Sequence, residues 1–525
     1  ADQGPILSFL GDPQTYGLAA NDDVRRIETH AAYVFLAGDR AVKLKKAVWR
    51  PYLDYSTLNQ RRICCAREVA LNQRTAPQVY LQATAVRRLE DGQLALGGDA
   101  GFILDWVVEM NRFPEDAMAD TALEAGRIGV DEIYDLAAGV AVFHQDAEAS
   151  PDMGGAETMN WVAQDNLERL YECIAAFPTE RALNLLQNQL RALARFSPLM
   201  EVRRESGFTR RCHGDLHLGN VAMLDGAPTP FDAIEFDDRL ACIDVLYDLA
   251  FLLMDLDRRG RGDLANVALN AYLEHCDALP EQLEAVGMLP LLMSMRATIR
   301  AHIEATLALE GDGQLPRAER LRLANGYLQR ALVAMDQEDR PAVIAIGGLQ
   351  GAGKSTVAAA IAPRIGGPPG AVVLRADALR KRLHGVRPTE RLPQAAYSEV
   401  ASDHVFGALA ECAVTIARAD RPVIVDGTFI DPKRRSRFER EALNAGVPFI
   451  GLWFEAPIDA LEGRVDARSQ AERPDVSDAD VTVLRRSAER TVGELGVWRR
   501  IDAAGAPSAV ADAALRAIED ALDRR

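Results

Sequence analysis

The chain of 525 residues exceeds what one hydrophobic core normally serves, and 48% apolar with 26% charged residues is the balance of a soluble globular protein of two or three domains. Its net charge of −17 is uneven: residues 1–339 hold 33 basic against 52 acidic residues, residues 340–525 hold 27 against 25. Affinity for a long polyanion needs a basic domain or stripe, so a nucleic-acid partner is not expected for the first part and stays open only for the second.

In chain order, residues 24–46 read as paired strands, with a turn in VFLAGD (34–39) and the extended pattern resuming in AVKLKK (41–46). Helical spacing predicts a helix over 58–74, in which Cys64 and Cys65 are packing residues. TAPQVYLQATAVRRL and FILDWVVEM supply further strands, which completes a small mixed lobe. Beyond Asp131, Ile133, Leu136, Val140 and Phe143 share one helical face, and helices are expected to about Asp336, interrupted near 212–236 by short strand and loop signals. The charged, proline-containing stretch 337–341 marks the expected boundary between domains 1–336 and 337–525. After it, strands and helices alternate: PAVIAIGG, AVVLRAD, a helix from Ala378, a helix near 401–419, PVIVDGT, a helix near 432–444, and VPFIGLWFE. Such alternation predicts a parallel sheet covered by helices on both faces, hence an α/β domain following an α+β one.

Two segments carry phosphate chemistry. In HGDLHLGN (213–220), Asp215 and Asn220 stand five apart on an expected loop, the spacing of a catalytic aspartate and a metal-binding asparagine in eukaryotic-type kinases. The carboxylate receives the acceptor hydroxyl's proton while the amide oxygen holds the metal that bridges the nucleotide phosphates. His213 is expected to brace the loop. A second metal carboxylate should follow, and FDAIEFDD offers Asp232, preferred because it closes an apolar strand, or Glu235. Asp244 and Asp248 are expected to pair with the loop. Lys43 and Glu68 match the lysine and glutamate that position the α and β phosphates, with Lys45 and Lys46 as alternatives to Lys43.

The second segment is GLQGAGKS (348–355). Gly348, Gly351 and Gly353 turn backbone amides inward around a triphosphate, with Ala352 and Thr356 in the same cradle. Lys354 reaches the β and γ phosphates and Ser355 ligates magnesium. Asp426, closing VIVD, is the expected carboxylate behind that metal. Asp377 and Arg380, one helical turn apart in RADALRKRL, would serve as base and as acceptor-anion ligand. Arg464, Arg468 and Arg473 are expected on a mobile lid that neutralises the transferring phosphoryl group. The run PKRRSRF (432–438) reads as a solvated helix end or a phosphate patch.

HGDLHLGN with Asp232, Lys43 and Glu68 resembles the aminoglycoside phosphotransferase superfamily, which includes choline and fructosamine kinases, over about residues 24–335. KLKKAVWRPYLDYSTLNQRR and AREVALNQRTAPQVYL are similar to the subgroup in which that domain is fused to a P-loop domain. THAAYVFLAGD departs from the pattern, since it lacks a glycine-rich phosphate-covering loop. Residues 341–500 resemble the P-loop kinases grouped with zeta toxins, chloramphenicol phosphotransferase, gluconate kinase and polynucleotide 5'-kinase. The resemblance implies a bilobal protein-kinase-like domain followed by a P-loop domain, with Mg2+ and ATP or GTP as donor. It implies a small hydroxylated or aminated acceptor for the first domain and an anionic hydroxylated one for the second. The alternatives are a nucleotide-sensing role for one domain, or 5'-hydroxyl kinase activity in nucleic-acid end repair.

Seven cysteines without a CxxC pair argue against a disulfide framework and a zinc site. No uninterrupted apolar run reaches the roughly 18 residues that span a bilayer, so no membrane partner and a cytoplasmic location are expected. Acceptor identity and oligomeric state are not legible at this level.

Overall fold

The computed structural model describes residues 2–29, 31–50, 53–311, 315–336, 340–387, 390–469 and 477–524. The chain packs into two compact units, residues 1–162 with 193–255, and residues 163–192 with 256–525. The boundary expected at 337 does not coincide with this division, because residues 256–336 group with the P-loop residues: the helix Gly262–His275 packs on the strand Val372–Arg375 and the helix Leu279–Ala285 on the helix Glu399–Arg418.

In the first unit, α1 (Gly4–Leu10) precedes β1 (Val24–Glu28), β2 (Ala32–Ala37), β3 (Arg40–Lys45), α2 (Leu58–Asn72), β4 (Tyr80–Arg88), β5 (Leu94–Leu96) and β6 (Phe102–Asn111). The strands form one antiparallel sheet in the order β1-β2-β3-β6-β4-β5. Both faces are covered, and the period of two decides what each face meets. Val42 and Leu44 of β3 pack with Ile6 and Leu10 of α1, whereas Ala41 packs with Cys65 and Val69 of α2. Lys43 and Lys45 share parity with Ala41 and therefore face α2. That helix starts at Thr57, whose side chain accepts from the Gln60 amide, and it buries Arg61, Cys64, Cys65, Glu68, Val69 and Asn72 along one stripe.

Next come α3 (Val130–Asp146), which buries Ile133, Leu136 and Val140 as expected, and α4 (Gly155–Glu172) and α5 (Thr179–Glu205), which contribute residues to both units. The loop 212–220 is held between β7 (Thr209–Arg211) and the hairpin of β8 (Val221–Leu224) and β9 (Ala227–Pro230). β7 pairs with β10 (Cys242–Asp244), from which the chain enters α6 (Val245–Arg258).

The second unit holds α7 (Gly262–His275), α8 (Leu279–Ala285), α9 (Leu289–Glu310) and α10 (Arg317–Asp336), followed by the P-loop fold. Here β11 (Val343–Gly348), α11 (Lys354–Ile361), β12 (Val372–Arg375), α12 (Ala376–Leu383), α13 (Glu399–Arg418), β13 (Val423–Asp426), α14 (Pro432–Asn444), β14 (Phe449–Glu455), α15 (Ile458–Ser469), α16 (Val481–Ala488), β15 (Arg499–Asp502) and α17 (Pro507–Leu522) follow in turn; the order matches the sequence reading as far as β14, after which only helices are expected, and β15 is an added edge strand. The five strands are all parallel, in the order β12-β13-β11-β14-β15. One apolar core joins Ile344, Ile346, Leu452 and Phe454 of the sheet to α11 and α17. Elsewhere Phe429 packs edge-on against Phe406 and Phe438, with centroids 5.0 and 5.1 Å away, and lies 5.0 Å from Trp498. α13 is long and apolar enough by composition to cross a membrane, but half of that stretch is buried, with Val405, Leu409, Ala413 and Ile416 turned inward as in a core helix.

Gly451 in β14 lies under the Trp498 ring, and a Cβ there would come within 2.4 Å of it. Gly451→Ala is therefore expected to destabilise the P-loop unit by about 1–3 kcal/mol through overpacking, read as a lower midpoint in denaturant unfolding.

Candidate active sites

The first centre grows from the shared parity of Lys43 and Lys45. Glu68, fully buried, accepts from Lys43 Nζ at 2.8 Å and from Lys45 Nζ at 2.5 Å. Lys43 also bonds Asp232 Oδ1 at 2.6 Å, while Lys45 bonds Glu235, which takes the Tyr55 hydroxyl as well. The alternatives open at the sequence level thus occupy different places. Lys43 and the half-exposed Asp232 form a pair that water reaches, and Lys45 and Glu235 form a buried one. Lys46 turns to the other face and pairs with Glu28. Burial pushes the Lys43 ammonium down, but Asp232 and Glu68 outweigh it and raise its pKa well above the ordinary value. Burial likewise raises Glu68, yet the two lysines win and hold its carboxyl at about 2.

Asp232 does not end a strand, since β9 stops at Pro230. It adopts a left-handed backbone (φ 63°), a conformation that aspartate tolerates better than most residues. Tyr80 Oη accepts from its amide at 3.2 Å, and Asn72 Oδ1 accepts from the Ala233 amide at 2.8 Å. Both partners escaped the sequence reading, although Asn72 lies on the same helical stripe as Glu68.

The loop 212–220 is braced from beneath. Asp248, fully buried on α6, accepts from the amides of His213 (3.0 Å) and Gly214 (2.8 Å) and meets His144 Nε2 at 3.1 Å. Asp244 pairs instead with Arg203. His213 Nε2 lies 2.9 Å from the Phe231 carbonyl and so ties the loop to the chain entering Asp232. Asn220 Nδ2 donates to Asp215 Oδ2 at 2.9 Å and to the Asp215 carbonyl at 3.0 Å. Both amide hydrogens are thereby used, leaving Oδ1 as the atom for a metal. With the Asp232 carboxylate it could offer hard oxygen donors of the kind Mg2+ takes.

In the second centre, Gly348, Gly351 and Gly353 all have positive φ, and a Cβ on Gly351 would lie 2.6 Å from the Leu461 carbonyl, so glycine is required there. Lys354 Nζ donates to the Leu349 carbonyl at 2.9 Å, and Ser355 Oγ donates to Asp426 Oδ2 at 2.5 Å. Hydroxyl and carboxylate thus converge at the N-terminus of α11, an oxygen pair suited to Mg2+ beside amides that favour anions. Ala352 is buried, and Thr356 is exposed in the first turn of α11.

Asp377 is half-buried in the first turn of α12 and is not the residue that caps it, which is Arg375. Arg380 is more enclosed than expected. Its Nη1 donates to the Ala396 carbonyl at 2.7 Å, its guanidinium stacks 4.8 Å from the Tyr397 ring centroid, and its Nε is buried without a partner. Burial lowers its pKa, against the opposing charge of Asp377. Asp478 holds this corner together by accepting from Tyr397 Oη (2.7 Å) and the Leu392 amide (3.0 Å) and pairing with buried Lys381 (3.1 Å). No sequence pattern singled out Asp478 or Tyr397. Arg464, expected on a lid, instead donates to the carbonyls of Gly351, Ala503 and Ala504 at 2.9–3.4 Å. The Arg468 side chain and Arg473 lie outside the described residues. In the run 432–438, Arg435 is buried against four carbonyls and Arg434 pairs with Asp403, so these two are not solvated.

The Glu68 cluster generates a pH prediction. Because its folded pKa lies below the ordinary 4.5, its contribution is complete above that value and is lost as pH falls towards 2. Stability should fall by up to about 1.4 kcal/mol per pH unit through this one group. Glu68→Gln should remove that component of the slope and cost about 3–5 kcal/mol at neutral pH, because Lys43 and Lys45 would lose the buried carboxylate they share and keep only Asp232 and Glu235 as charged partners. Urea titrations of both proteins from pH 6 to pH 2.5 check it.

Residues 123–286 match the Phosphotransferase enzyme family and residues 343–491 match an AAA domain family. The uncharacterized protein Rv2004c of Mycobacterium tuberculosis is 30% identical over 497 residues, covering 92% of each chain, and so is Mb2027c of Mycobacterium bovis. Among solved structures, a choline/ethanolamine kinase family protein from Mesorhizobium loti is 12% identical (TM-score 0.35, 62% of this chain and 99% of that one). A gluconokinase from Sinorhizobium meliloti is 20% identical (TM-score 0.27, 35% and 95%). The chain thus belongs to the family of these mycobacterial proteins, in which a phosphotransferase domain is joined to a P-loop kinase-like domain, and it is a phosphotransferase that takes its phosphoryl group from a nucleotide.

Proposed function

We propose that both centres transfer a phosphoryl group from Mg-ATP or Mg-GTP, the first to a small hydroxylated or aminated metabolite, the second to a hydroxyl of an anionic substrate. One observation supports this above the rest: each centre sets a candidate aspartate base beside an oxygen pair suited to a metal. In the first, Asp215 lies against Asn220, and the Phe231 amide, next to Asp232, donates to the Asn220 carbonyl at 2.9 Å. In the second, Asp377 follows strand β12, adjacent to the strand that ends in Asp426, the partner of Ser355.

Bound Mg2+ would offset phosphate charge as the phosphoryl group transfers; Asn220 and Asp232 would hold it in one centre, Ser355 and Asp426 in the other. Lys43, kept charged and oriented by Glu68, binds the α and β phosphates in the first centre. Asp215 accepts the acceptor's proton there, and the Asp248 brace holds its loop at a fixed height. In the second, the amides around Gly351, Ala352 and Gly353, with Lys354, Ser355 and Thr356, bind the triphosphate, and Asp377 takes the hydroxyl proton. Arg380 fixes the acceptor side through Ala396 and Tyr397. Positioning and charge neutralisation supply the catalysis.

A narrower reading makes the first centre a nucleotide sensor. It is favoured by the hairpin of β1 and β2, where only residues 29–31 separate the strands and none is glycine.

Both readings are tested with Asp215→Ala, Asp377→Ala and Lys354→Ala in the full chain, assayed for ADP release against amines, sugars, sugar acids and 5'-hydroxyl oligonucleotides. Two active centres predict that Asp215→Ala removes one acceptor class and Asp377→Ala another, each by about 10²–10⁴-fold. If Asp215→Ala alters no acceptor's rate while Mg-ATP still binds the first unit, the sensor reading stands. Oligonucleotide phosphorylation that collapses with added salt would instead make the second centre an end-repair kinase.

A further inference from the structure

The helix that carries Asp377 and Arg380 is bracketed by another helix, α7, which lies in the segment matching the Phosphotransferase enzyme family yet packs on the P-loop sheet. β12 is an edge strand, so the outward amide of Val373 and carbonyl of Ala371 have no strand to pair with. Asparagines of α7 take the place of one. Asn270 Oδ1 accepts from the Val373 amide at 2.7 Å, Asn270 Nδ2 donates to Asn266 Oδ1 at 3.0 Å, and Asn266 Nδ2 donates to the carbonyls of Ala371 and Pro369, each at 2.9 Å. Asn266 is almost fully buried, so this short ladder lies inside the unit.

On the other side of Asp377, Arg382 of α12 closes the bracket. Its guanidinium donates to the carbonyls of Leu273 (3.0 Å), Glu274 (2.9 Å), Cys276 (2.5 Å) and Asp277 (3.3 Å). These are the carbonyls at the C-terminus of α7, which lack partners within the helix and carry its partial negative charge. A planar fork with five donors suits such a cluster, and an ammonium would reach fewer. A further close approach pins the neighbouring segment. A Cβ on Gly287, just past α8, would lie 2.2 Å from the carbonyl of Ala419 at the end of α13. Strand β12 is therefore gripped at Ala371 and Val373 and helix α12 at Arg382, with Asp377 and Arg380 between the two grips.

We propose that Asn270 and Arg382 are positioning residues for the P-loop centre, through which helix α7 sets the placement of Asp377 and the acceptor side of that centre. The proposal rests on Asp377 as the base of the second centre. Neither residue would touch nucleotide, since the P-loop amides, Lys354 and Ser355 are held by β11 and α11.

The test uses the full chain carrying Asn270→Ala, Arg382→Ala or Arg382→Lys, with Mg-ATP as the only probe and the Lys354→Ala-sensitive release of ADP as the rate. A misplaced base should lower kcat by about 10–100-fold while KM for Mg-ATP moves by less than about twofold. Arg382→Lys should recover part of the loss. Amide hydrogen exchange should rise within 373–383 and stay as in the parent within 343–361. Unchanged kcat, or kcat and Mg-ATP affinity falling together with protection lost across both segments, would overturn the proposal. If the parent shows no Lys354-dependent turnover, the reading of the second centre fails. Exchange then decides this inference alone: lost protection confined to 373–383 supports the grip, and its absence rejects it.

Discussion

Glu68 keeps its charge with no exposure to water, which is tolerable only because the ammonium groups of Lys43 and Lys45 flank it. This pairing joins strand β3 to helix α2, and through Asp232 and Glu235 it reaches the loop after β9. The alternation of β3 puts both lysines on the α2 face. The helical stripe of α2 puts Glu68 and Asn72 opposite, and Asn72 then holds the amide beyond Asp232. Remove the carboxylate, and Lys43 and Lys45 keep only Asp232 and Glu235 as charged partners, with nothing left to hold the two ammonium groups together.

The same economy recurs. Asp248 holds two consecutive amides of the loop 212–220, and Asp426 holds Ser355, each a carboxylate with little or no exposure. Carboxylates fixed before ligand arrives lose little further freedom when phosphate and metal are bound, so less binding energy is lost to ordering the site. In the second centre the surroundings of Arg380 are assembled from more distant parts, with Asp478 fixing Tyr397 and Tyr397 lying on Arg380.

Residues that repeat a local period were readable in advance. Four of the five P-loop strands and the helices between them fall where apolar periodicity put them, because each element's pattern is set by its own neighbours in sequence; the short edge strand β15 has too few residues to show one. HGDLHLGN and GLQGAGKS were readable because phosphate binding needs fixed spacings of glycine, lysine, hydroxyl and carboxylate along one stretch of chain. The lysine pair, by contrast, could not be separated from sequence. Lys43 and Lys45 have the same parity, and only the loop that returns nearly two hundred residues later sends Asp232 to one and Glu235 to the other. Arg464 was legible as a helical arginine, but its carbonyl partners come from two remote turns.

The sequence by itself therefore determined the two phosphate signatures, the alternating fold of the second half and the mixed lobe of the first, since these depend on short-range spacing and hydrophobic period. Tertiary structure alone decided which charged groups pair and where the packed units divide. Helix α7 joins the P-loop sheet because its edge strand offers unpaired backbone groups that the asparagines of α7 satisfy. A hydrogen-bonding demand of that kind arises only once the sheet exists, and nothing in the linear order of residues announces which distant side chain will answer it.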